Sequence, residues 1–344
     1  LSEVFYPNIH PGMALLPWML WALNRRSSPA VRCLSMGLVF GLLLLAGDIV
    51  VCSLALLCAF LWIALEVPEG EQKPSLASLG LALVLAFLLA APQIVATSAW
   101  IPFTNRAILG MRLDEVLLFS VSPFRLLEFV IPSPFGPTWE PGAGSWATSV
   151  YRGKGMGLFS GFYAGAFAVI ALAVARRSRE RGARFSRVLF LIATAASVLP
   201  SLVPASLTAA GSPMPLRYPE KLAVGAVLAL ALLAGIAFEA MLRERRVPRW
   251  PLYAGAALAF AAAGLAVFPA GAGRLAIWCV GGDSAAAPFA ASVLAPAFAE
   301  GALLWILTVI GIDLAHRGGR LSLGCCLLLL TLVPICANRR IART

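Results

Sequence analysis

The chain has 344 residues, of which 60% are hydrophobic and only 12% are charged, and its mean hydropathy is +0.87. A soluble globular protein has too little interior to cover that much apolar surface, so the composition predicts a polytopic membrane protein. The net charge of +11 would favour a nucleic-acid partner in a soluble protein. Here it comes mostly from short arginine clusters, which suit anionic lipid headgroups, so we expect membrane lipids and no nucleic acid as partners.

About ten apolar segments are candidate membrane spans, because a helix needs roughly 20 apolar residues to cross a bilayer. They are 11–23, 33–46, 49–66, 76–97, 156–175, 188–207, 221–242, 251–270, 289–312 and 321–337. Two are short, and we interpret 11–23 as part of a longer helix and 33–46 as a helix that ends in a membrane-embedded turn at Gly47 and Asp48. The predicted fold class is an all-α polytopic membrane protein with a single transmembrane helical domain over 1–344.

Arginine clusters between these segments predict the orientation of the chain. Six arginines lie between 176 and 187, and further clusters lie at 24–32, 243–249 and 317–320. Basic residues collect in cytoplasmic turns, so these four gaps are predicted to be cytoplasmic. The loops at 98–155 and 208–220 are then extracytoplasmic, and functional residues are expected there.

The first outer loop, 98–155, is rich in aromatic residues and proline, as expected of a segment at the headgroup level. Its residues 113–131 alternate apolar and charged side chains in a way that predicts one or two short amphipathic helices lying on the membrane, broken near Ser122 and Pro123. The following run, 131–137, contains three prolines and predicts a fixed turn.

The second outer loop ends in Arg217-Tyr218-Pro219-Glu220-Lys221, directly before an apolar segment. Prolines favour an extended backbone that would hold Arg217 and Lys221 at the outer membrane surface. Two fixed cations suit a phosphate or pyrophosphate, because Arg offers a planar fork and Lys a point charge. The alternative is an anchor whose cations reach the headgroups of ordinary lipids.

Asp48 and His10 are the candidate catalytic residues. Asp48 is an acid within a long apolar stretch, and an ionisable group at membrane depth is a functional candidate by default. The alternative role for Asp48 is to cap the next helix. His10 is predicted to be external and could act as a base, although a lone interfacial histidine is more often only a polar anchor.

No cofactor is evident in the sequence. The seven cysteines lie almost entirely in apolar segments without paired ligand spacing, so they predict neither a disulfide framework nor a metal site. A divalent metal is compatible with phosphate chemistry but has no support in the sequence. The motifs of nucleotide hydrolysis and of the common hydrolases are absent.

The ends of the sequence do not fit the predicted orientation. The chain begins at Leu1 with residues placed outside, and the last apolar segment runs outward into a basic tail at 338–343. Positive charge on the outer side violates the rule that the other clusters obey. We therefore expect a chain truncated at both ends.

Several segments, taken in order, resemble the YfhO-like bacterial membrane proteins, which belong with the polytopic glycosyltransferases of the GT-C type. The resembling segments are Leu16-Pro17-Trp18 with Arg25, Leu44 to Asp48, Ala91-Pro92-Gln93 with Asn105-Arg106, Ser122-Pro123 through Pro132 to Gly136, and Arg217 to Lys221 with Leu233-Ala234-Gly235. Each motif is short, and their order and spacing carry the resemblance. Asp48 stands where the family usually has a histidine, and the family's acidic first outer loop would precede Leu1.

The resemblance implies a glycosyltransferase of the bacterial cytoplasmic membrane. Its donor would be a sugar linked to polyprenyl phosphate, and its acceptor an extracytoplasmic glycan, glycolipid or polymer. Arg217 and Lys221 would bind the donor phosphate, with help from Arg106, Tyr218 and Glu220. Two other classes stay open: a transporter or flippase for a lipid-linked substrate, and a non-catalytic membrane assembly subunit.

Overall fold

A computed structural model describes most of the chain. The described residues are 9–25, 27–104, 117, 119–136, 150, 162–175, 178–203, 218–244, 250–280 and 286–317. Arg106, Arg217 and the predicted span 321–337 lie outside them. For His10 the structure describes the backbone only.

The described residues are helical and include no strand. The α-helices are α1 Ile9–Asn24, α2 Pro29–Ala46, α3 Ile49–Glu66, α4 Glu69–Trp100, α5 Ala166–Val174, α6 Ala183–Val198, α7 Ala223–Glu244, α8 Trp250–Val267, α9 Pro269–Val280 and α10 Ala287–Arg317. Short 3₁₀ helices occupy Ile101–Phe103, Pro123–Phe129, Leu199–Leu202 and Pro219–Leu222.

Seven helical segments among the described residues are long and apolar enough to cross a membrane, which indicates a multi-pass membrane protein. They are Pro29–Ala46, Ile49–Glu66, Glu69–Phe103, Ala183–Leu202, Pro219–Met241, Trp250–Val267 and Ala287–Leu314. Each coincides with a predicted span. Of the other three, 11–23 forms the 16-residue helix α1, 156–175 is described as helix only over α5, and 321–337 lies outside the described residues. The all-helical class is confirmed, whereas the count of ten stays a prediction.

Backbone contacts group the chain into two compact units. Unit 1 consists of Leu1–Ser120 and Arg184–Leu228, and unit 2 of Val121–Ala183 and Ala229–Thr344. Each unit combines segments that are distant in the sequence. The description of 1–344 as a single domain stays a prediction.

The predicted turn at Gly47 and Asp48 is present in unit 1. Helix α2 ends at Gly47, whose φ of 79° is in the left-handed region that glycine adopts without strain. Helix α3 then begins directly after Asp48, whose side chain accepts hydrogen bonds from the Val50 and Val51 backbone N–H groups. Two helices are thereby joined through two residues.

Helices α2 and α4 form the largest helix contact of unit 1. Gly37 and Gly41 lie in this contact, and a Cβ at Gly41 would come within 2.5 Å of Leu89 Cδ2. Small residues let two helix backbones approach closely, which is the common packing device in an apolar solvent. At the other end of α3, Glu66 Oε1 accepts a hydrogen bond of 2.9 Å from the Phe185 N–H and so joins α3 to α6.

Unit 2 contains a helix that was predicted only as the end of the span 251–270 and part of the residues after it. The predicted span 251–270 ends three residues earlier, at Val267, and Pro269 begins α9. Proline favours the first position of a helix and disfavours a continuing one, so it divides the apolar run. Helix α9 has 12 residues, too few to cross a bilayer, and it packs against α10.

The amphipathic helices predicted within 113–131 take a different form in the described part of that range. Pro123–Phe129 is a 3₁₀ helix that begins after Ser122, where a break was predicted. An amphipathic helix on the membrane would turn its charged side chains to water, but Arg125 and Glu128 are buried. The two side chains form an ion pair, which offsets the cost of burying both charges.

The predicted fixed turn after this segment is confirmed. Ser133 and Gly136 have φ values of 46° and 85°, and the Gly136 N–H donates to the Ser133 carbonyl oxygen at 3.1 Å. Phe135 is buried within the turn. Before it, the Val130 carbonyl accepts a hydrogen bond of 3.2 Å from Trp305 Nε1, which attaches the segment to α10.

The contact between α9 and α10 predicts opposite effects for two glycines of the same helix. A Cβ at Gly273 would overlap the Ala287 backbone carbonyl, whereas a Cβ at Gly271 would meet no atom within 4 Å. We expect Gly273→Ala to lower the free energy of unfolding by about 1–3 kcal/mol through overpacking. Gly271→Ala should be neutral or stabilise by up to about 1 kcal/mol, since alanine favours a helix.

The measurement is thermal unfolding of the two purified variants in the same detergent. Equal unfolding midpoints for Gly271→Ala and Gly273→Ala would contradict the close α9–α10 contact.

Candidate functional site

A buried ion pair between Asp48 and Lys221 is the main polar feature of unit 1. Lys221 Nζ donates to Asp48 Oδ2 at 2.5 Å, across 173 positions of sequence. Only 3% of Asp48 and 9% of Lys221 is exposed. Both residues border helices that are apolar and long enough to cross a membrane, where an unpaired charge is strongly disfavoured.

Asp48 uses its two carboxylate oxygens for different partners. Oδ1 accepts hydrogen bonds from the N–H groups of Val50 at 3.0 Å and Val51 at 3.3 Å, while Oδ2 accepts from Lys221. A catalytic role and helix capping were the two alternatives for Asp48; the structure confirms the cap and adds an ion pair with Lys221. A carboxylate held in this way is suited to position Lys221.

The backbone before Lys221 is held in an uncommon conformation. Tyr218 has a φ of 63° and a ψ of 73°, and Pro219 then begins the 3₁₀ helix that contains Lys221. A non-glycine residue in the left-handed region is strained and persists only where its surroundings fix it. The Glu220 N–H donates to the Phe119 carbonyl oxygen at 3.0 Å, which ties this segment to the loop at 98–155.

Aromatic rings cover one side of the lysine. The rings of Tyr218 and Phe119 meet edge to face with centroids 5.1 Å apart. Lys221 Nζ lies 5.5 Å from the Tyr218 ring centroid, within the range of a cation–π interaction. We name the cluster of Asp48, Phe119, Tyr218 and Lys221 the lysine site.

The lysine site differs from the sequence-based prediction in how Lys221 is presented. Lys221 was predicted to lie at the outer surface as a cation for a ligand phosphate, but it is largely buried and already carries a counter-ion. Glu220, also predicted to contact substrate, is fully buried. Tyr218 is the predicted binding residue whose ring lies beside the ammonium group.

The remaining predicted site residues are not placed with this cluster. Arg217 directly precedes Tyr218 in the chain, but Arg217 and Arg106 both lie outside the described residues. The backbone of His10 belongs to the second position of α1. Within the described ranges, no group of three His, Cys, Asp or Glu side chains could hold a metal ion.

The pairing of Asp48 with Lys221 was missed by sequence reasoning. The available signal was that each is a charged residue at the start of an apolar run, one acidic and one basic, and buried charges require partners. Gln93 also lies near this turn, since its Nε2 would be 3.6 Å from a Cβ at Gly47, next to Asp48. Short sequence motifs do not reveal which helices bring these residues together.

A second buried ion pair lies in unit 2. Arg125 Nε donates to Glu128 Oε1 at 2.8 Å, and Arg125 Nη2 donates to Glu128 Oε2 at 3.0 Å. The Arg125 guanidinium lies 4.6 Å from the centroid of the Phe162 ring. Two parallel hydrogen bonds with an aromatic face satisfy a planar guanidinium well, so this pair stabilises the 3₁₀ helix in which it lies.

Unit 2 also contains an open apolar pocket of about 610 Å³. Its walls come from the 3₁₀ helix Pro123–Phe129, from the buried turn at Phe135 and from helices α8, α9 and α10. Cys279 contributes its thiol, and the other lining side chains are hydrocarbon. The size is that of a small-molecule site, not of an ordinary packing defect.

The chain matches no family model, no curated protein and no solved structure. The resemblance to YfhO-like proteins therefore stays a prediction based on the short motifs quoted above.

The lysine site predicts a specific order of stability among charge variants. Asp48→Ala should lower the free energy of unfolding by about 3–5 kcal/mol, because it removes the helix cap and leaves Lys221 buried without its counter-ion. The double variant Asp48→Asn/Lys221→Met should recover much of this loss, since it retains a capping side chain and removes both charges. Thermal unfolding in detergent, followed by tryptophan fluorescence, measures the order.

Arg243→Ala provides the matched control. Arg243 pairs with Glu180 and Glu239, but all three side chains are more than half exposed. Its removal should change stability by less than about 1 kcal/mol. A loss in Arg243→Ala equal to that in Asp48→Ala would contradict the special role of the buried pair.

Proposed function

We propose that the protein is a membrane glycosyltransferase of the GT-C type. It transfers a sugar from a polyprenyl-phosphate donor to an extracytoplasmic glycan, glycolipid or polymer. The sequence resemblance to YfhO-like proteins supports this class, and the indication of a multi-pass membrane protein fits it. The proposed location is the bacterial cytoplasmic membrane, with the loops at 98–155 and 208–220 on the outer side.

The observation that carries the proposal is the buried ammonium group of Lys221. It belongs to a short, strained segment that directly follows Arg217, and the carboxylate of Asp48 fixes its position at 2.5 Å. An ammonium group has three N–H donors, of which one is directed to Asp48. The others can donate to a phosphate oxygen, so Lys221 can hold a lipid phosphate while Asp48 keeps it in place.

Fixed cations at this position would assist the bond-breaking step. An acceptor hydroxyl oxygen attacks the anomeric carbon of the sugar, and the bond between that carbon and the phosphate oxygen breaks. The electron pair stays on the polyprenyl phosphate, whose negative charge therefore increases in the transition state. Arg217 and Lys221 stabilise that charge more strongly than they stabilise the intact donor, which is what accelerates a reaction.

The structure changes the role that we propose for Asp48. Both of its oxygens accept hydrogen bonds from protein groups, so we assign it the positioning of Lys221. The acceptor hydroxyl proton must pass to a base, and His10 is the other candidate that the sequence offers. Arg106 is proposed as a further contact of the donor phosphate.

We expect Arg217→Ala to abolish sugar transfer without loss of folded protein. The reason is that Arg217 supplies a planar pair of donors to the leaving phosphate, and the loss of one preorganised donor costs about 10²–10³ in rate. The assay incubates protein in nanodiscs with a panel of polyprenyl-phosphate-linked sugars and follows release of polyprenyl phosphate. Arg243→Ala is the matched control, because it removes an exposed arginine that has no part in the proposed site. Unchanged transfer by Arg217→Ala would refute the assignment.

Binding of the donor lipid can be measured separately from transfer. Native mass spectrometry should detect polyprenyl phosphate bound to the wild-type protein and little bound to Arg217→Ala/Lys221→Met. Asp48→Asn should weaken binding less than the double variant does, since Lys221 keeps its charge. Equal binding by all three proteins would reduce these cations to headgroup anchors. Movement of the lipid across the membrane without transfer would favour a flippase.

A further inference from the structure

The two aromatic residues of the lysine site share an uncommon backbone conformation. Phe119 has a φ of 58° and Tyr218 has a φ of 63°, both in the left-handed region. Among the described residues, Ser133 is the one other non-glycine residue with a positive φ. Bulky residues are strained in this region, and such strain is concentrated at functional sites, where the surroundings hold it. The contacts that hold these two residues therefore indicate what the cluster does.

Two contacts join Phe119 to the segment that carries Lys221. The Phe119 carbonyl oxygen accepts a hydrogen bond of 3.0 Å from the Glu220 N–H. The Phe119 ring meets the Tyr218 ring edge to face, with the centroids 5.1 Å apart and the planes at 65°. The first contact fixes the backbone directly before Lys221, and the second fixes the ring beside the ammonium group. Phe119 thus acts on Lys221 through Glu220 and Tyr218.

The segment that carries Phe119 is itself anchored. Leu117 and Ser120, which lie on either side of it in the chain, are both buried. The Leu117 carbonyl oxygen accepts hydrogen bonds from the Ser120 N–H at 3.1 Å and from Ser120 Oγ at 2.5 Å. This tight turn holds the Phe119 ring against Tyr218. The ring is therefore a fixed support for the segment that carries Lys221.

Lys221 is covered as a result. Asp48 binds its Nζ atom, the Tyr218 ring centroid lies 5.5 Å from the same atom, and only 11% of the lysine side chain is exposed. A phosphate oxygen has to approach Nζ to about 2.7–2.9 Å to accept a charge-assisted hydrogen bond. Little of the side chain is open to that approach. Binding of a donor phosphate at Lys221 therefore requires the aromatic pair to move aside.

We propose that Phe119 is a positioning residue that holds Tyr218 over Lys221 and so limits access to the ammonium group. Opening this cover loses the ring contact and the Glu220 hydrogen bond, but it releases the strain of two left-handed residues, which offsets part of that loss. The loop at 98–155 then controls the cation that directly follows the loop at 208–220. That the cover admits a donor phosphate rests on the function proposed above, whereas the cover itself does not.

The test is the rate at which a water-soluble N-hydroxysuccinimide ester acylates Lys221 in nanodiscs without donor lipid, measured by mass spectrometry of the modified peptides. Lys73 is exposed on α4 and serves as the internal reference, so wild-type Lys221 should react more slowly than Lys73. Phe119→Ala should raise the Lys221 rate relative to Lys73 by roughly three- to tenfold, the size expected for the loss of an aromatic pair. Phe119→Tyr keeps the ring and should keep the wild-type ratio. Phe60→Ala removes an exposed ring of α3 and should also leave the ratio unchanged.

Two further arms complete the test. If Phe119→Ala fails to fold, Phe119→Asn replaces it, since asparagine accepts a left-handed backbone more readily than alanine does. A ratio of Lys221 to Lys73 acylation that is the same with and without the Phe119 ring would overturn the proposal, and so would a wild-type Lys221 as reactive as Lys73. Polyprenyl phosphate is then added to the wild-type protein, where protection of Lys221 supports the donor site. An effect of Phe119→Ala without such protection would refute donor binding at Lys221 and support the cover.

Discussion

The free-energy cost of a charge in an apolar environment is the constraint on which the rest of this structure depends. A charged side chain in an apolar interior needs a partner. Two buried ion pairs among the described residues meet this condition. In unit 1, Asp48 and Lys221 come from segments 173 positions apart, so their pairing fixes how those segments meet. In unit 2, Arg125 and Glu128 are three residues apart, so their pairing fixes only a local segment.

The long-range pair has consequences for any chemistry at the lysine site. A lysine that is paired with a buried carboxylate is held in one place, which is a condition for preorganised stabilisation of a leaving phosphate. The ion pair also makes Asp48 and Lys221 important for folding. A loss of activity in a variant of Asp48 or Lys221 is therefore informative only beside a measurement of stability, whereas Arg217 lies next to the pair in sequence without being part of it.

The local pair serves another purpose. By binding each other, Arg125 and Glu128 leave the remaining side chains of Pro123–Phe129 to form an apolar wall. Helix α9 supplies a second wall because Pro269 separates it from α8. An open apolar pocket results from these two local features, together with the small residues that let α9 approach α10.

The sequence by itself determined the membrane-protein class, the approximate positions of seven helical segments, the turn at Gly47 and Asp48 and the turn that ends at Gly136. These follow from local properties, namely apolar length, glycine at a left-handed position and proline within a run. Only the tertiary structure decided that Lys221 is buried against Asp48, that Arg125 and Glu128 turn away from water, and that one face of α9 lines an apolar pocket. The reason is physical: composition and spacing state which residues are costly to bury, but the identity of their partners depends on which distant helices pack together.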